Sequence, residues 1–122
     1  ARLLPVVVDG LGVPLDLGRA VRRATAGQRR AMTKRDGGCV FPGCTSPPSW
    51  SEAHHMVEWA AGGDTDVGGM ASLCRHHHGV VHRTGWRIRA TVDGHFWFGS
   101  PSGRTFWGQR HRRQRRGPIP DG

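Results

Sequence analysis

The clearest alternation of apolar and polar positions lies in the last third of the chain. From residue 86 to residue 92, Trp, Ile, Ala and Val alternate with Arg and Thr, and a second apolar run follows at residues 95–98. Asp93-Gly94 separates the two runs, and this dipeptide between alternating segments is the strongest short-range signal for a β-hairpin. The pattern therefore predicts a hairpin with one apolar and one basic face.

Two other segments have helical character. Thr25 is a candidate N-cap for a helix over residues 26–35, and Gly37-Gly38 is its stop signal. A shorter helix of about ten residues is predicted to begin at Cys74 and to end near Thr84-Gly85. Between the helices, the pattern of residues 51–59 predicts a strand or hairpin arm. Residues 70–73 are predicted to be buried in the core. This mixture of helices and antiparallel strands predicts a small α+β fold.

The composition leaves little material for a hydrophobic core. Hydrophobic residues make up 36% of the 122-residue chain, which also contains 19 Gly and 8 Pro. A domain of this kind usually needs a disulfide or a metal to stabilise it. Three cysteines cannot all pair with one another, whereas a Cys3His zinc site uses all three. Reduced cysteines predict the cytoplasm, and no signal peptide or membrane-spanning run is found. Because the chain opens with Ala1, we expect it to be part of a longer protein.

The charge balance points to a polyanion, although a second explanation stays open. The chain contains eighteen Lys and Arg and nine Asp and Glu, which gives a net charge of +9. Lys34 is the only lysine. Arginine suits phosphate recognition, but an excess of Arg over Lys also follows from genomic base composition. The arginines of the first helical segment form either a phosphate-facing ridge or an ordinary charged helix surface: Arg22, Arg23, Arg29 and Arg30.

Candidate metal ligands are concentrated between Cys39 and His82. All three cysteines and six of the eight histidines lie in this stretch. Two pairs, Cys-x4-Cys and Cys-x2-His, have spacings that closed tetrahedral zinc sites use, and Pro42-Gly43 supplies the tight turn inside the first pair. The alternative is three buried, reduced cysteines without a metal. The predicted zinc ligands are Cys39, Cys44, Cys74 and His77.

A second group of histidines has the spacing of a separate metal site. His78 and His82 are four residues apart, so on a helix they share one face, while His77 lies about 100° away and can face the other ion. The adjacent pair His54-His55 lies on the predicted extended arm, where neighbouring side chains point to opposite sides. One of the two can then bind a metal while the other activates water.

These motifs together resemble those of HNH endonucleases. The resemblance covers Arg35 to Phe98 and rests on Arg-Asp-Gly-Gly-Cys-Val-Phe-Pro-Gly-Cys, Glu-Ala-His-His, Gly-Gly-Asp-Thr-Asp, Leu-Cys-Arg-His-His-His and Gly-Trp-Arg-Ile. It implies a ββα-metal finger (HNH, His-Me finger) with zinc knuckles and a C-terminal β-hairpin, of the bacterial type found C-terminal to a helical domain of unassigned function. Residues 1–34 would be an N-terminal arm and helix that join the two, residues 35–100 the nuclease domain, and residues 101–122 a basic, disordered tail.

The resemblance also implies roles for individual residues. His55 matches the general base that takes a proton from the attacking water, His54 matches the metal ligand before it, and His78 matches the last histidine of the motif. His82 matches a further metal-contacting histidine of nuclease colicins. The implied activity is hydrolysis of DNA phosphodiester bonds. Three histidine ligands favour Zn, Ni, Mn or Co over Mg, the substrate would be double-stranded DNA, and candidate phosphate contacts are Arg75, Arg83, Arg87 and Arg89.

One position departs from the family pattern. The motif asparagine, which orients the base histidine, is replaced by Gly69, and the chain contains no asparagine at all. A backbone carbonyl, Asp64 or Asp66 could take over this task, or His55 could be loosely held. Two alternatives to an enzyme therefore stay open: a non-catalytic, zinc-stabilised DNA-binding module and a zinc-stabilised protein-interaction domain.

Overall fold

The computed structural model describes residues 14–91, 93–109 and 111. Within them the chain forms an α+β domain with two α-helices and two antiparallel sheets. Three short 3-10 turns lie between the longer elements, at Pro48–Trp50, Trp59–Ala61 and Val67–Gly69. The helices and strands are, in chain order, α1 (Ala26–Asp36), β1 (Ser51–His55), β2 (Met70–Cys74), α2 (Arg75–Thr84), β3 (Arg87–Ala90), β4 (Phe96–Gly99) and β5 (Thr105–Trp107).

Helix α1 begins and ends where its capping residues predict. The Thr25 hydroxyl accepts a hydrogen bond from the Gln28 backbone, and the Gln28 side chain accepts one from the Thr25 backbone, which together form a capping box. Gly37 ends the helix in the left-handed conformation, with φ of 71°. At the last turn, buried Asp36 accepts hydrogen bonds from Arg35 and from Ser72 of β2. This network attaches α1 to the central strands.

Strands β1 and β2 lead directly into α2. They pair antiparallel, with Ser51 opposite Cys74 and His55 opposite Met70. Cys74 ends β2 and is also the residue before the first turn of α2, so no loop separates strand from helix. The strand predicted within residues 51–59 and the short helix predicted from Cys74 are both confirmed. Gly85 ends α2 in the left-handed conformation. The side chains of β1 and of α2 consequently lie next to each other.

The second sheet contains the predicted hairpin and one strand more. β3 pairs with β4, with Ile88 opposite Phe98, and Ile88 is buried whereas Arg87 and Arg89 are exposed. Strand β5 then pairs with β4, with Phe106 opposite Phe98. The predicted start of the disordered tail at residue 101 is therefore wrong, because residues 105–107 form the third strand of this sheet. The rest of the predicted basic tail lies mainly outside the described residues.

The core is small and includes the cysteines. Val40, Leu73 and Phe98 are fully buried, and all three cysteines belong to the same cluster of buried residues. No disulfide joins them. Neither helix in the described part of the chain has the length and the apolar character that crossing a bilayer requires.

The segment before α1 packs against the loop between β1 and β2. The Leu17 amide donates to the Thr65 carbonyl at 3.1 Å, and the Thr65 amide donates to the Gly18 carbonyl at 2.7 Å. The Arg19 guanidinium donates to the carbonyls of Trp59 and Gly63, both at 2.8 Å. The described part of the predicted joining segment is thus hydrogen-bonded to the domain that follows it.

Candidate metal centres and the adjoining groove

Four side chains that are distant in sequence meet between the turn at residues 39–44 and the start of α2. The potential ligand atoms of this Cys3His cluster all lie within 4.8 Å of one another. Three of the four residues are buried, and the fourth, His77, is partly exposed. The cluster, which could hold a metal ion such as zinc, consists of Cys39, Cys44, Cys74 and His77.

Distances within the Cys3His cluster suit a tetrahedral ion. The Nδ1 atom of His77 lies 3.3 Å from the Cys74 sulfur and 3.7 Å from the Cys39 sulfur. Zinc–sulfur and zinc–nitrogen bonds of ordinary length place neighbouring ligand atoms roughly 3.5–3.8 Å apart. The Phe41 ring stacks on the His77 imidazole, with centroids 4.1 Å apart and planes inclined by 5°. This stacking holds the plane of the imidazole ring.

Burial and hydrogen bonding shift the pKa values of two of the sulfurs in opposite directions. Burial raises the pKa of the Cys39 thiol to about 12. For Cys44, burial also raises the pKa, but hydrogen bonds with Ser46 outweigh it and the net shift is downward. The Ser46 amide lies 3.4 Å from the Cys44 sulfur, in a position to donate to a thiolate. Because a buried thiolate is costly when unpaired, a positive ion here would stabilise the folded chain.

A second cluster joins β1 to the exposed side of α2. His54, His78 and His82 each offer a ring nitrogen, and these atoms lie within 4.8 Å of one another. The Nε2 atoms of His78 and His82 are only 3.1 Å apart. The His54 ring lies edge-on to both, with centroid distances of 5.1 and 5.2 Å. The sequence grouped these three residues, and the structure brings them together.

One carboxylate, that of Glu52, determines which nitrogen of His78 faces the rest of the three-histidine cluster. The Nδ1 atom of His78 lies 2.9 Å from a Glu52 oxygen, and since a carboxylate only accepts, Nδ1 carries the hydrogen. The other ring nitrogen of His78, Nε2, is the one that points towards His82. The Nδ1 atom of His82 faces Glu58 at 3.8 Å, which is beyond hydrogen-bonding distance. Two imidazole nitrogens this close need a shared proton or a cation between them, and the donor set suits a divalent transition metal.

His54 is the buried member of the three-histidine cluster. Its side chain is 6% exposed, and burial lowers its pKa to about 3, with smaller contributions from His78 and His82. It is therefore neutral at physiological pH. A neutral imidazole keeps the lone pair that metal coordination requires.

His55 contacts a different part of the molecule from its neighbour. Its Nε2 atom lies 3.0 Å from the hydroxyl oxygen of Thr65. Burial lowers the pKa of His55 below its usual range, and the charges of Arg19 and Arg22 lower it further. The opposite orientations of residues 54 and 55 follow from the alternation of side chains along β1.

A groove of about 950 Å³ contains both histidines of β1 and two of the four histidines of α2, His78 and His82. Arginines of the N-terminal segment and of α1 line it: Arg22, Arg23 and Arg29. The four arginines that the sequence favoured for phosphate contacts are all exposed, but none of them lines this groove: Arg75, Arg83, Arg87 and Arg89. The predicted set therefore does not contribute to the groove that contains the histidines.

Sequence reasoning missed two residues that contact the histidines. Glu52 belongs to the Glu-Ala-His-His motif, and strand alternation places it on the same side of β1 as His54. Its position near the histidines could therefore have been predicted from the sequence. Thr65 had no such signal, because its partners His55 and Val21 lie 10 and 44 residues away in the sequence. Neither Asp64 nor Asp66 contacts His55 through a hydrogen bond in the described part of the chain.

Comparisons with known proteins give relatives but no assigned activity. An 83-residue stretch, 68% of the chain, is 35% identical to part of an uncharacterized protein of Mycobacterium tuberculosis, of which it covers 18%. A second uncharacterized M. tuberculosis protein is 35% identical over 83 residues, 20% of its length. An uncharacterized Mycobacterium bovis protein is 33% identical over 81 residues, which are 66% of this chain and 18% of that protein. The chain thus spans about a fifth of these relatives. No protein-family model and no solved structure matches it.

Proposed function

We propose that the chain is a metal-dependent endonuclease domain that hydrolyses phosphodiester bonds of double-stranded DNA. One observation carries the proposal: three imidazole nitrogens converge within 4.8 Å of one another in a groove that also contains His55 and is lined by arginines. A metal-binding triad, a neighbouring base and a cationic groove are the components that phosphodiester hydrolysis requires.

The Cys3His cluster has a structural role in this proposal. It uses every protein ligand that a closed tetrahedral zinc site needs, which leaves no position for substrate. Zinc binding there would supply folding free energy to a chain with a small core. The order β1, β2, α2, with histidines on the first strand and on the helix, is the order of a ββα-metal finger, and supports assignment of the chain to the HNH type.

His55 acts as general base in the proposed mechanism. Its pKa is lowered, so the ring is neutral near pH 7 and can accept a proton from a water molecule bound in the groove. His54, His78 and His82 would hold a divalent ion, which would supply Lewis-acid stabilisation of the charge that develops on the phosphate. Arg22, Arg23 and Arg29 hold the flanking phosphates by charge.

One observation favours a second candidate, a DNA-binding module without catalysis. Gly69 occupies the position of the motif asparagine and has no side chain with which to orient a histidine. Such a module would keep the structural zinc and the arginine-lined groove but would not cleave DNA. The two candidates share the substrate and differ in the outcome of a cleavage assay.

A plasmid-nicking assay with added Mn²⁺ or Ni²⁺ separates the candidates. We expect wild-type protein to relax supercoiled plasmid, His55→Ala to lose most of this activity, and the matched control His76→Ala to retain it. His76 lies exposed on α2 and belongs to neither metal cluster. Equal background cleavage by wild type and His55→Ala would reject the enzyme, and salt-dependent duplex binding would then support the DNA-binding module.

A further inference from the structure

The hydroxyl group of Thr65 lies at the end of a chain of contacts that begins at His55. Thr65 is fully buried, although its side chain is polar. Its oxygen lies 3.0 Å from the Nε2 atom of His55 and 2.7 Å from the carbonyl oxygen of Val21. The Arg22 carbonyl oxygen is also within reach, at 3.2 Å. A single hydroxyl therefore faces one imidazole nitrogen and two acceptors.

Counting hydrogens at this hydroxyl settles the direction of each bond. A threonine hydroxyl has one hydrogen, and a backbone carbonyl can only accept, so that hydrogen is donated to Val21, with Arg22 as a weaker second acceptor. The hydroxyl oxygen is then left as an acceptor for His55, and Nε2 must carry the ring hydrogen. We infer that Thr65 is a positioning residue that holds neutral His55 as the Nε2–H tautomer, which leaves the Nδ1 lone pair to take the proton from water. This inference rests on the proposed function for the identity of the reaction.

The position of Thr65 is itself fixed by several bonds. Its amide donates to Gly18 and its carbonyl accepts from Leu17, so the backbone is held on both sides. The buried Gln28 amide group donates to the same carbonyl at 2.7 Å. Gln28 in turn belongs to the capping box of α1. Because helix α1 and the segment before it determine where the hydroxyl lies, His55 is oriented by residues outside the two metal clusters.

Thr65 therefore does the work expected of the missing asparagine. Gly69 contributes only backbone groups: its carbonyl accepts from the Met56 amide at 2.9 Å. That bond supports the strand end next to His55 and does not contact the ring. A loosely held base is accordingly not the consequence of Gly69, since the hydroxyl of Thr65 is already within hydrogen-bonding distance of the imidazole.

Two conservative substitutions test the role of the hydroxyl in the full, zinc-loaded chain. Thr65→Val keeps the shape and removes the hydroxyl, whereas Thr65→Ser keeps the hydroxyl and removes a methyl group. We expect Thr65→Val to lower the nicking rate at saturating plasmid by about 100-fold, with duplex affinity unchanged, because misplacement of a base by about 1 Å costs that much. Thr65→Ser should restore at least a third of the wild-type rate. Thermal melts identify any variant that does not fold.

An NMR measurement tests the same inference without cleavage. In zinc-loaded protein labelled with ¹⁵N-histidine, the His55 ring is assigned by its loss in His55→Ala, and its tautomer is read from the ring nitrogen shifts. The Nε2–H tautomer is expected in wild type and Thr65→Ser. The Nδ1–H tautomer in wild type would overturn the inference, as would a folded Thr65→Val that nicks at the wild-type rate. If wild type holds Nε2–H but does not nick DNA, the tautomer assignment stands and the proposed function fails.

Discussion

The Nε2 atoms of His78 and His82 lie 3.1 Å apart, one turn from each other on α2. On the same helix, His77 directs its Nδ1 atom to the Cys74 and Cys39 sulfurs. Adjacent helical residues point about 100° apart, so residues 77 and 78 face different clusters. A helix of ten residues thus contributes to both candidate metal sites. The two sites nevertheless have separate ligands and can be tested separately.

Removing a ligand of the Cys3His cluster should unfold the chain. Cys74 is buried at the junction of β2 and α2, and structural zinc contributes about 10–16 kcal/mol in small domains, as much as the whole stability of most domains. We predict that Cys74→Ser shows no cooperative thermal transition, and that a strong chelator has the same effect on wild type. His55→Ala should melt like wild type. A cooperative, chelator-insensitive melt of Cys74→Ser would contradict the structural role of the cluster.

The groove arginines should contribute more to DNA binding than the arginines of the second sheet. Arg22 lines the groove of the histidines, whereas Arg87 lies on β3 away from it. We predict that Arg22→Gln lowers the slope of log affinity against log salt concentration by about one, as expected for one lost phosphate contact. Fluorescence anisotropy with a labelled duplex at several salt concentrations measures it. The matched control Arg87→Gln should leave the slope unchanged. A lower slope for Arg87→Gln and an unchanged slope for Arg22→Gln would indicate that DNA binds to the second sheet instead.

Restoring the motif asparagine should have little effect. An added Cβ at Gly69 would meet only the Asp64 carbonyl oxygen, at 3.8 Å, which is ordinary contact distance. Since Thr65 already contacts His55, we predict that Gly69→Asn folds normally and changes the nicking rate by less than about threefold, well below the effect of a misplaced base. A large increase in nicking would show that the base is poorly oriented in wild type. Melting curves of both proteins serve as the folding control.

The parts of the fold that were predictable depend on local rules. The Thr25 cap and the Gly37 stop define α1 within one residue, because capping uses groups three or four residues apart. Helical spacing also placed His78 and His82 on one side of α2, whereas the choice of His54 over His55 as their partner came from the resemblance to HNH endonucleases. Strand β5 was missed because it is only three residues long and lies in a Gly- and Ser-rich region. Its three residues contain no pattern that predicts pairing with β4.

The contacts of the segment before α1 could not be predicted, because no motif links it to the loop on which it packs. The segment that carries Arg22 lines the groove because residues 17–19 are hydrogen-bonded to residues 59–65, which lie 40 or more positions later. Thr65 contacts His55 for the same reason. The sequence therefore favoured arginines near α2 and β3, which are close to the histidines along the chain but do not line the groove.

The central claim is that the three-histidine cluster holds the metal ion of a nuclease. The most direct test measures both the metal content and the DNA cleavage of the His78→Ala variant. His78 belongs to the three-histidine cluster and not to the Cys3His cluster, so its removal should leave the fold and the zinc in place. Elemental analysis of wild type equilibrated with Zn²⁺ should find two ions per chain, and His78→Ala should retain one, melt cooperatively and fail to nick plasmid with Mn²⁺ or Ni²⁺. If His78→Ala retains two ions, or nicks plasmid as fast as wild type, the three-histidine cluster is not the metal site of a nuclease.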